Sequence, residues 1–394
     1  MVDFTVFSES VMGWKHEKNN GVNEDACGVF DGRDFKIIAV ADGHGACECF
    51  RSHIGSRMAV ESALEILMSF KKSVDEFHLL VNLHKYDQRD ELVRFLIHDL
   101  IELWNARVLE HVGQFPISSE EYNLAPSLSM VYQRGKYLTN IYGSTLLCAI
   151  LSEDFLLVLQ QGDGCCVVLD EDGHILHPMP LDDICVRNMT TSLCDRDASK
   201  RMRYVYYDLS RVKFGGIFLA SDGVENSFGD EVFLDAFFAE LCRELSGLDV
   251  SVVSSYVRGL LGEISERGSR DDVSLAGIFS RDFLCDKKGV LDLYVRLAKK
   301  MFALNDAKKV CLQNQRQKDF LDCEFERSEA GLKEVEQSLN ELLERQVGLF
   351  RKREWLAGEF SKVVHACEVS KAGLKVCQDE FDGLKELLDK GVKE

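Results

Sequence analysis

The chain has 394 residues, 46% hydrophobic and 29% charged, with a formal net charge of −19. That length holds roughly two to three domains of about 100–200 residues each, and the composition is globular rather than disordered or collagen-like. So acidic a chain argues against nucleic acid, whose affinity rests on neutralising phosphates with Lys and Arg; it suits divalent cations or basic partners.

No apolar run approaches the ~20 residues that cross a bilayer. The opening MVDFTVFSES lacks the basic-then-apolar order of a secretory signal. A cytoplasmic protein with no membrane partner is therefore expected. None of the 14 Cys forms a CxxC pair, which argues against a zinc site. Most of these thiols are expected to act as small buried hydrophobes in a reducing compartment.

Up to about residue 284, short apolar runs alternate with turn signals. FKIIAVADGHG reads as a buried strand entering a Gly-rich turn. Helical stretches are expected near 46–70 and 88–112. STLLCAILSEDFLLVLQQGDGCCVVLDEDGHIL reads as three strands in a meander, broken at Glu153–Asp154, Gly162–Gly164 and Asp170–Gly173. Residues 178–213 have no clear period and read as a loop-rich flap. GGIFLASDGVENSF and DDVSLAGIF repeat the pairing of strand with acidic turn, around helices near 230–245 and 248–266. Strand runs with helix runs predict an α+β domain of layered antiparallel sheets.

From 285 the period changes. Steps of three and four from Leu332 to Leu388 land on apolar residues except at Gln346, Arg353 and Ser370. That pattern predicts an all-α coiled-coil or bundle region over 285–394. Gly348, Gly358, Gly373 and Gly383 interrupt it, and one of them is expected to mark a bend or hairpin turn. This region carries 21 basic and 21 acidic residues, so the whole acidic excess belongs to 1–284. An apolar seam this long needs burial, which suggests a homodimer or a partner protein.

The chemistry-bearing feature is a set of Asp residues at strand ends: Asp25, Asp42, Asp163, Asp222, and Asp271 with Asp272. A single Asp-Gly pair is only a turn signal. Several carboxylates gathered at one end of a sheet would repel unless a cation sat among them. Hard oxygen-liking ions such as Mg²⁺ or Mn²⁺ meet that need. His44, directly after Asp42–Gly43, is a poor ligand for such ions and better suited to general acid work.

NEDA (23–26), VADGHG (40–45), YGST (142–145), GD (162–163), LASDG (219–223) and SRDD (269–272) occur in an order that resembles the metal-dependent protein serine/threonine phosphatases of the PPM (type 2C) group. The resemblance covers roughly residues 8–280. GWKH (13–16) and NMTT (188–191) look closer to a bacterial branch of that group. The resemblance implies a four-layer α-β-β-α sandwich over 1–284 that hydrolyses phosphoserine or phosphothreonine in a phosphoprotein with two Mn²⁺ or Mg²⁺ ions. It implies that Asp42 bridges the two metals, with the Gly43 carbonyl on the second and Asp222 and Asp271 on the first. Asp25, with Glu24, would hold metal-bound water, and Asp163 would share a third, weak metal. His44 resembles the acid that protonates the leaving oxygen.

Two departures stand out. The family commonly carries a phosphate-holding Arg ahead of the acidic pair, but no Arg precedes Arg33. Lys15, His16 or Lys18 is expected to substitute. Asp272 stands where the family usually has Asn, and is expected to add negative charge near the metals. A rival reading takes Cys27 and Arg33 as the Cys-x5-Arg of a cysteine-dependent phosphatase. Asp31 inside that loop and the acids just before it speak against it. A further alternative is a catalytically weak scaffold that binds a phosphoprotein or partner through its helical tail.

Overall fold

The computed structural model describes residues 3–19, 21–182, 184–185, 189–337 and 343–391; for 331–337, 343–347, 349 and 386–391 only the backbone is described. The chain divides into two compact units, Met1–Leu291 and Asp292–Glu394.

The first unit holds two five-stranded antiparallel sheets. One runs β1 (Thr5–Val11), β10 (Val273–Phe279), β9 (Phe214–Ala220), β6 (Cys165–Asp170), β7 (Ile175–Leu176). The other runs β2 (Ala26–Asp31), β3 (Phe35–Ala41), β4 (Leu146–Ser152), β5 (Phe155–Gln161), β8 (Arg203–Asp208).

Side chains alternate across a strand, and both faces of the central strands are buried, so those strands read as unbroken apolar runs. Ile37, Ala39, Cys148, Ile150, Leu157 and Leu159 face a core shared with the helices Ser52–Glu76 and Tyr86–Gln114. Ile38, Val40, Leu147, Ala149, Leu156 and Val158 face the other sheet, meeting Val168, Ile217, Leu219 and Ile278. The helices Glu231–Gly247 and Val250–Arg267 pack on the outer side of the first sheet. There Phe218 lies 6.0 Å from Phe238 and 6.3 Å from Phe7, ring centre to ring centre. The expected α-β-β-α sandwich is the observed architecture.

Three local expectations are corrected. The meander is not one sheet: β4 and β5 pair, but Gly162–Gly164 carries the chain across to the other sheet, where β6 pairs with β9. The flap is shorter than 178–213, because Arg203–Asp208 pairs with β5 as a regular strand. Tyr204 and Tyr206 alternate with Val205 and Tyr207 there, a half-buried edge pattern that the polar residues around it disguise. The helix expected over 46–70 begins at Ser52, after a 3-10 turn at Cys47–Cys49. Of the 14 Cys, six are buried, among them Cys148, Cys165, Cys166 and Cys242; Cys47, Cys285 and Cys323 are exposed.

The second unit contains the helix Leu343–Gly391 and most of Lys288–Gln337. They pair with each other antiparallel: Leu321 packs with Leu356 and Val363, Asn314 Nδ2 donates to Ser370 Oγ at 3.0 Å, and Arg353 lies 2.9 Å from Glu329. Gly348, Gly358, Gly373 and Gly383 all sit inside one continuous helix, so none marks the turn. The side chains of the expected stripe from Leu332 to Leu349, and Leu388, lie outside the described residues. No described helix is long and apolar enough to cross a membrane.

Candidate metal centre

Antiparallel pairing decides where the acidic turns meet. Ala26 opposes Ala41, so Asp25 and Asp42 fall at the same end of one sheet. Leu146 opposes Gln161, which brings Thr145 and the Gly162–Asp163 turn to that end as well. In the other sheet Ala220 opposes both Leu275 and Cys165, so Asp222 and Asp271 collect there too. The strands β2, β3, β5, β6, β9 and β10 all run into or out of this end of the sandwich, and the turns there carry Asp25, Asp42, Asp163, Asp222 and Asp271.

The result is a cleft of about 1270 Å³ whose wall includes Asp42, Gly43, His44, Asp163, Asp222 and Asp271, with Lys15 and His16 at one side. Asp25 lies deeper. It is 5% exposed, and neither carboxylate oxygen makes a hydrogen bond to a described residue. Burial first, then the charges of Asp272 and Asp222, push its carboxyl up to about 7, against the hydroxyls of Ser221 and Ser274. Asp42 is held well above the usual carboxylate range by burial and by Asp25 and Asp222; Asp222 is raised chiefly by burial. A cluster of all-oxygen donors that disfavours its own negative charge fits a hard divalent cation.

The backbone under Asp42 is fixed by the YGST segment. Asp42 N–H donates to Thr145 Oγ1 at 3.0 Å, while Thr145 N–H and Ser144 Oγ donate to the Asp42 carbonyl at 2.8 and 3.0 Å. Gly43 is required by close approach: a Cβ there would lie 2.7 Å from the Glu24 carbonyl oxygen and 2.8 Å from that of Ser52. Gly162 is required by conformation, with φ at +99° and a would-be Cβ 2.5 Å from Thr145 Cγ2. Thr190 Oγ1 donates to Asp163 at 2.9 Å, and Gly162 N–H donates to Thr191 Oγ1 at 3.0 Å, so the flap's two threonines hold this turn. Asn188 lies outside the described residues.

Asp271 and Asp272 point apart, as neighbours entering a strand must. Asp271 is exposed to the cleft, whereas Asp272 is buried. Asp272 accepts from the Gly13 and Glu24 amides at 2.5 and 2.6 Å and lies 3.0 Å from His16 Nδ1. Besides the charge it adds beside Asp25, Asp272 pins the N-terminal segment beneath Glu24, with three donors on its two oxygens. His16 is tied up by the same contact, and Asp272 and Glu24 raise its pKa against burial. Glu24 in turn accepts from Ser52 Oγ at 2.9 Å.

His44 lines the cleft and its ring makes no hydrogen bond to a described residue. Burial lowers its pKa; Asp163 and Asp195 work in the opposite direction. The remaining cations on the wall are Lys15, Arg196 and Arg201. The two arginines come from the flap, and no local sequence pattern pointed to them. Cys27 lies in β2 with its thiol pushed up to about 12, chiefly by burial, which removes it as a thiolate nucleophile.

Among the described residues, three sets bring three ligand atoms within 4.8 Å: His16–Glu24–Asp272, Asp170–Asp172–His174 and His177–Glu231–Asp235. The set around Asp42 is not among these three.

The model of the family described as protein phosphatase 2C matches residues 12–253. The chain belongs to the protein phosphatase 2C family. With it the chain belongs to the protein serine/threonine phosphatases, a divalent-metal family acting on phosphoproteins. The matched segment spans Asp25, Asp42, Gly43, His44, Asp163 and Asp222 and stops short of Asp271. Solved structures with a similar fold include the catalytic domain of the serine threonine protein phosphatase PstP in complex with two manganese ions: 16% identity, 71% of this chain, 99% of that chain, TM-score 0.40. Serine/threonine phosphatase Stp1 from Staphylococcus aureus aligns at 16% identity over 71% of this chain and 95% of its own, TM-score 0.43. A sex-determining protein of C. elegans aligns at 17% identity over 73% of this chain and 67% of its own, TM-score 0.46. No curated protein matches the sequence.

Proposed function

We propose that the cleft holds two Mn²⁺ or Mg²⁺ ions, with a third weak site at Asp163, and hydrolyses phosphoserine or phosphothreonine in proteins. The observation that carries this reading is the gathering of Asp42, Asp163, Asp222 and Asp271 on one wall above the unpartnered, buried Asp25. Asp42 would hold both ions, the Gly43 carbonyl the second, Asp222 and Asp271 the first, and Asp25 with Glu24 the water around them. Ions so placed supply an activated water and a clamp on the phosphoryl oxygens. His44 gives its proton to the departing Ser or Thr oxygen. With His16 engaged by Asp272, the phosphate falls to Lys15, Arg196 and Arg201. Lys15 offers a point charge and the arginines a fork.

Manganese-dependent hydrolysis of p-nitrophenyl phosphate tests the reading. Asp42→Ala and Asp222→Ala each lose at least about a hundredfold in rate. Unchanged turnover in both variants refutes it, and manganese binding without turnover in the unaltered chain turns it into the scaffold reading. We assign the helical unit to dimerisation or partner docking; Phe302, Phe320 and Trp355 stand 69%, 64% and 61% exposed on it.

A further inference from the structure

The net charge of −19 hides a local patch of the opposite sign. It lies at β8, the edge strand of the second sheet. A groove of about 490 Å³ runs beside it, walled by Arg89, Arg94, Lys200, Arg201, Tyr204 and Tyr206. Among the described residues Asp90 is the one acid on this wall, and it is already engaged: it accepts from Tyr204 Oη at 3.0 Å and lies 3.7 Å from Arg94 Nε. Aromatic rings hold the cations in place. The Arg89 guanidinium sits 4.8 Å over the Tyr206 ring and 5.4 Å from that of Tyr86, and Arg94 sits 5.9 Å over Tyr204. Such contacts orient a guanidinium without cancelling its charge. Arg89 donates to a neutral partner, the Leu83 carbonyl at 3.2 Å, and Lys200 is exposed. Arg201 is balanced by Asp197 at 2.7 Å.

Two observations say what the groove takes. Arg201 belongs to its wall and to the wall of the metal cleft, so the two adjoin at that side chain. And β8 pairs only with β5 among the described residues, leaving its outer backbone groups open to an extended segment. An extended chain whose phosphorylated residue sits in the cleft passes Arg201 and enters the groove a few residues on. There it meets cations and tyrosines.

We propose that this groove docks acidic residues flanking the phosphorylated Ser or Thr, so that the protein selects acidic phosphosites. The identity of the occupant rests on the phosphatase reading; the binding of an acidic segment does not. The test uses the full chain and a fluorescein-labelled, unphosphorylated Asp/Glu-rich peptide, with its Lys-substituted counterpart as control, followed by anisotropy. The acidic peptide binds at least about tenfold tighter than the basic one, and Arg94→Glu with Lys200→Glu removes about tenfold of that affinity, the equivalent of about 1.4 kcal/mol. Lys200→Glu alone, on an exposed side chain, gives a smaller loss in the same direction and guards against misfolding of the double variant. With phosphopeptides, the double variant loses its preference for acidic flanks while p-nitrophenyl phosphate hydrolysis is unchanged. Equal binding of the two peptides, or full affinity in both variants, overturns the proposal. Acidic-peptide binding without any p-nitrophenyl phosphate hydrolysis supports the groove and refutes the phosphatase reading alone.

Discussion

Asp25→Asn in the metal-free protein separates a converging carboxylate cluster from a set of ordinary turns. Asp25 is buried, its oxygens accept no hydrogen bond from a described residue, and its carboxyl is pushed from 3.8 to about 7. One pKa unit is about 1.4 kcal/mol, so ionised Asp25 costs the metal-free fold about 4 kcal/mol. The sign follows from proton binding. Below pH 3.8 the carboxyl is protonated folded and unfolded, and no cost is present. Between that pH and about 7 the unfolded chain ionises while the folded one keeps its proton, so stability falls as pH rises. Above about 7 the full cost remains. Asn removes this charge and relieves Asp42 and Asp222, but leaves a buried amide with imperfect partners, returning about 1–2 kcal/mol of the gain. The expected net is a stabilisation of about 2–3 kcal/mol at pH 8 that falls through zero as pH drops and becomes a destabilisation of about 1 kcal/mol near pH 4, where only the amide cost remains. Urea denaturation in EDTA across that range reads it directly. Manganese then stabilises the unaltered chain more than the variant, since a cation relieves a repulsion the variant has already lost. An Asp25→Asn protein that is less stable at pH 8 in EDTA, or whose difference is the same at every pH, refutes the reasoning.

Two other parts of the molecule are open to similar tests. Arg51, 6% exposed, grips Glu121 with both arms of its fork at 2.6 and 2.8 Å and donates to Tyr142 Oη at 2.8 Å. That bond to Arg51, ahead of the Ser118 amide, pulls the Glu121 carboxyl from 4.5 down to about 2. Glu121 is 29% exposed at the side chain, so after solvent screening Glu121→Gln costs about 1–2 kcal/mol at pH 7. The contribution is complete above pH 4.5 and is lost as pH falls towards 2; an acid-unfolding curve that is unchanged in the variant refutes it. For the helical unit, sedimentation equilibrium of the full chain is expected to show a concentration-dependent dimer or a partner-bound species, and a monomer at every concentration with no co-purified partner removes that assignment.

The strands and their acidic ends were legible because both signals are local. A buried strand is an apolar run, and Asp-Gly ends it. The destination of each strand was not local. Nothing in QQGDGCCVV says that β5 and β6 belong to different sheets; that depends on Gly162 at positive φ and on Ala220 lying across from Cys165. Nor does SRDD say which aspartate faces the cleft, because the answer lies in partners about 250 residues away: Gly13, His16 and Glu24. Ser144 and Thr145 were visible as a motif, but their grip on the Asp42 backbone was not. The cations were hardest of all. Arg196 and Arg201 sit in an aperiodic stretch, and only the folding of the flap brings them to the same wall as Asp42.

Those late-arriving cations bear on how an acidic protein can take an anionic substrate at all. Five carboxylates, Asp25, Asp42, Asp163, Asp222 and Asp271, surround the proposed ions, and two divalent cations leave one negative charge in excess. A phosphomonoester would then approach a site that still repels it. A third ion beside Asp163 reverses the sign, and Lys15 and Arg196 at the rim work in the same direction, with Arg201 balanced by Asp197. The rim acts at longer range than a coordinated ion, whose field the carboxylates around it cancel, so it sets which phosphate-bearing segments arrive. On this argument the carboxylate end of the sandwich fixes the chemistry and the flap fixes the clientele. In this chain the aperiodic flap, not a regular strand, supplies Arg196 and Arg201 to the wall that Asp42 shares.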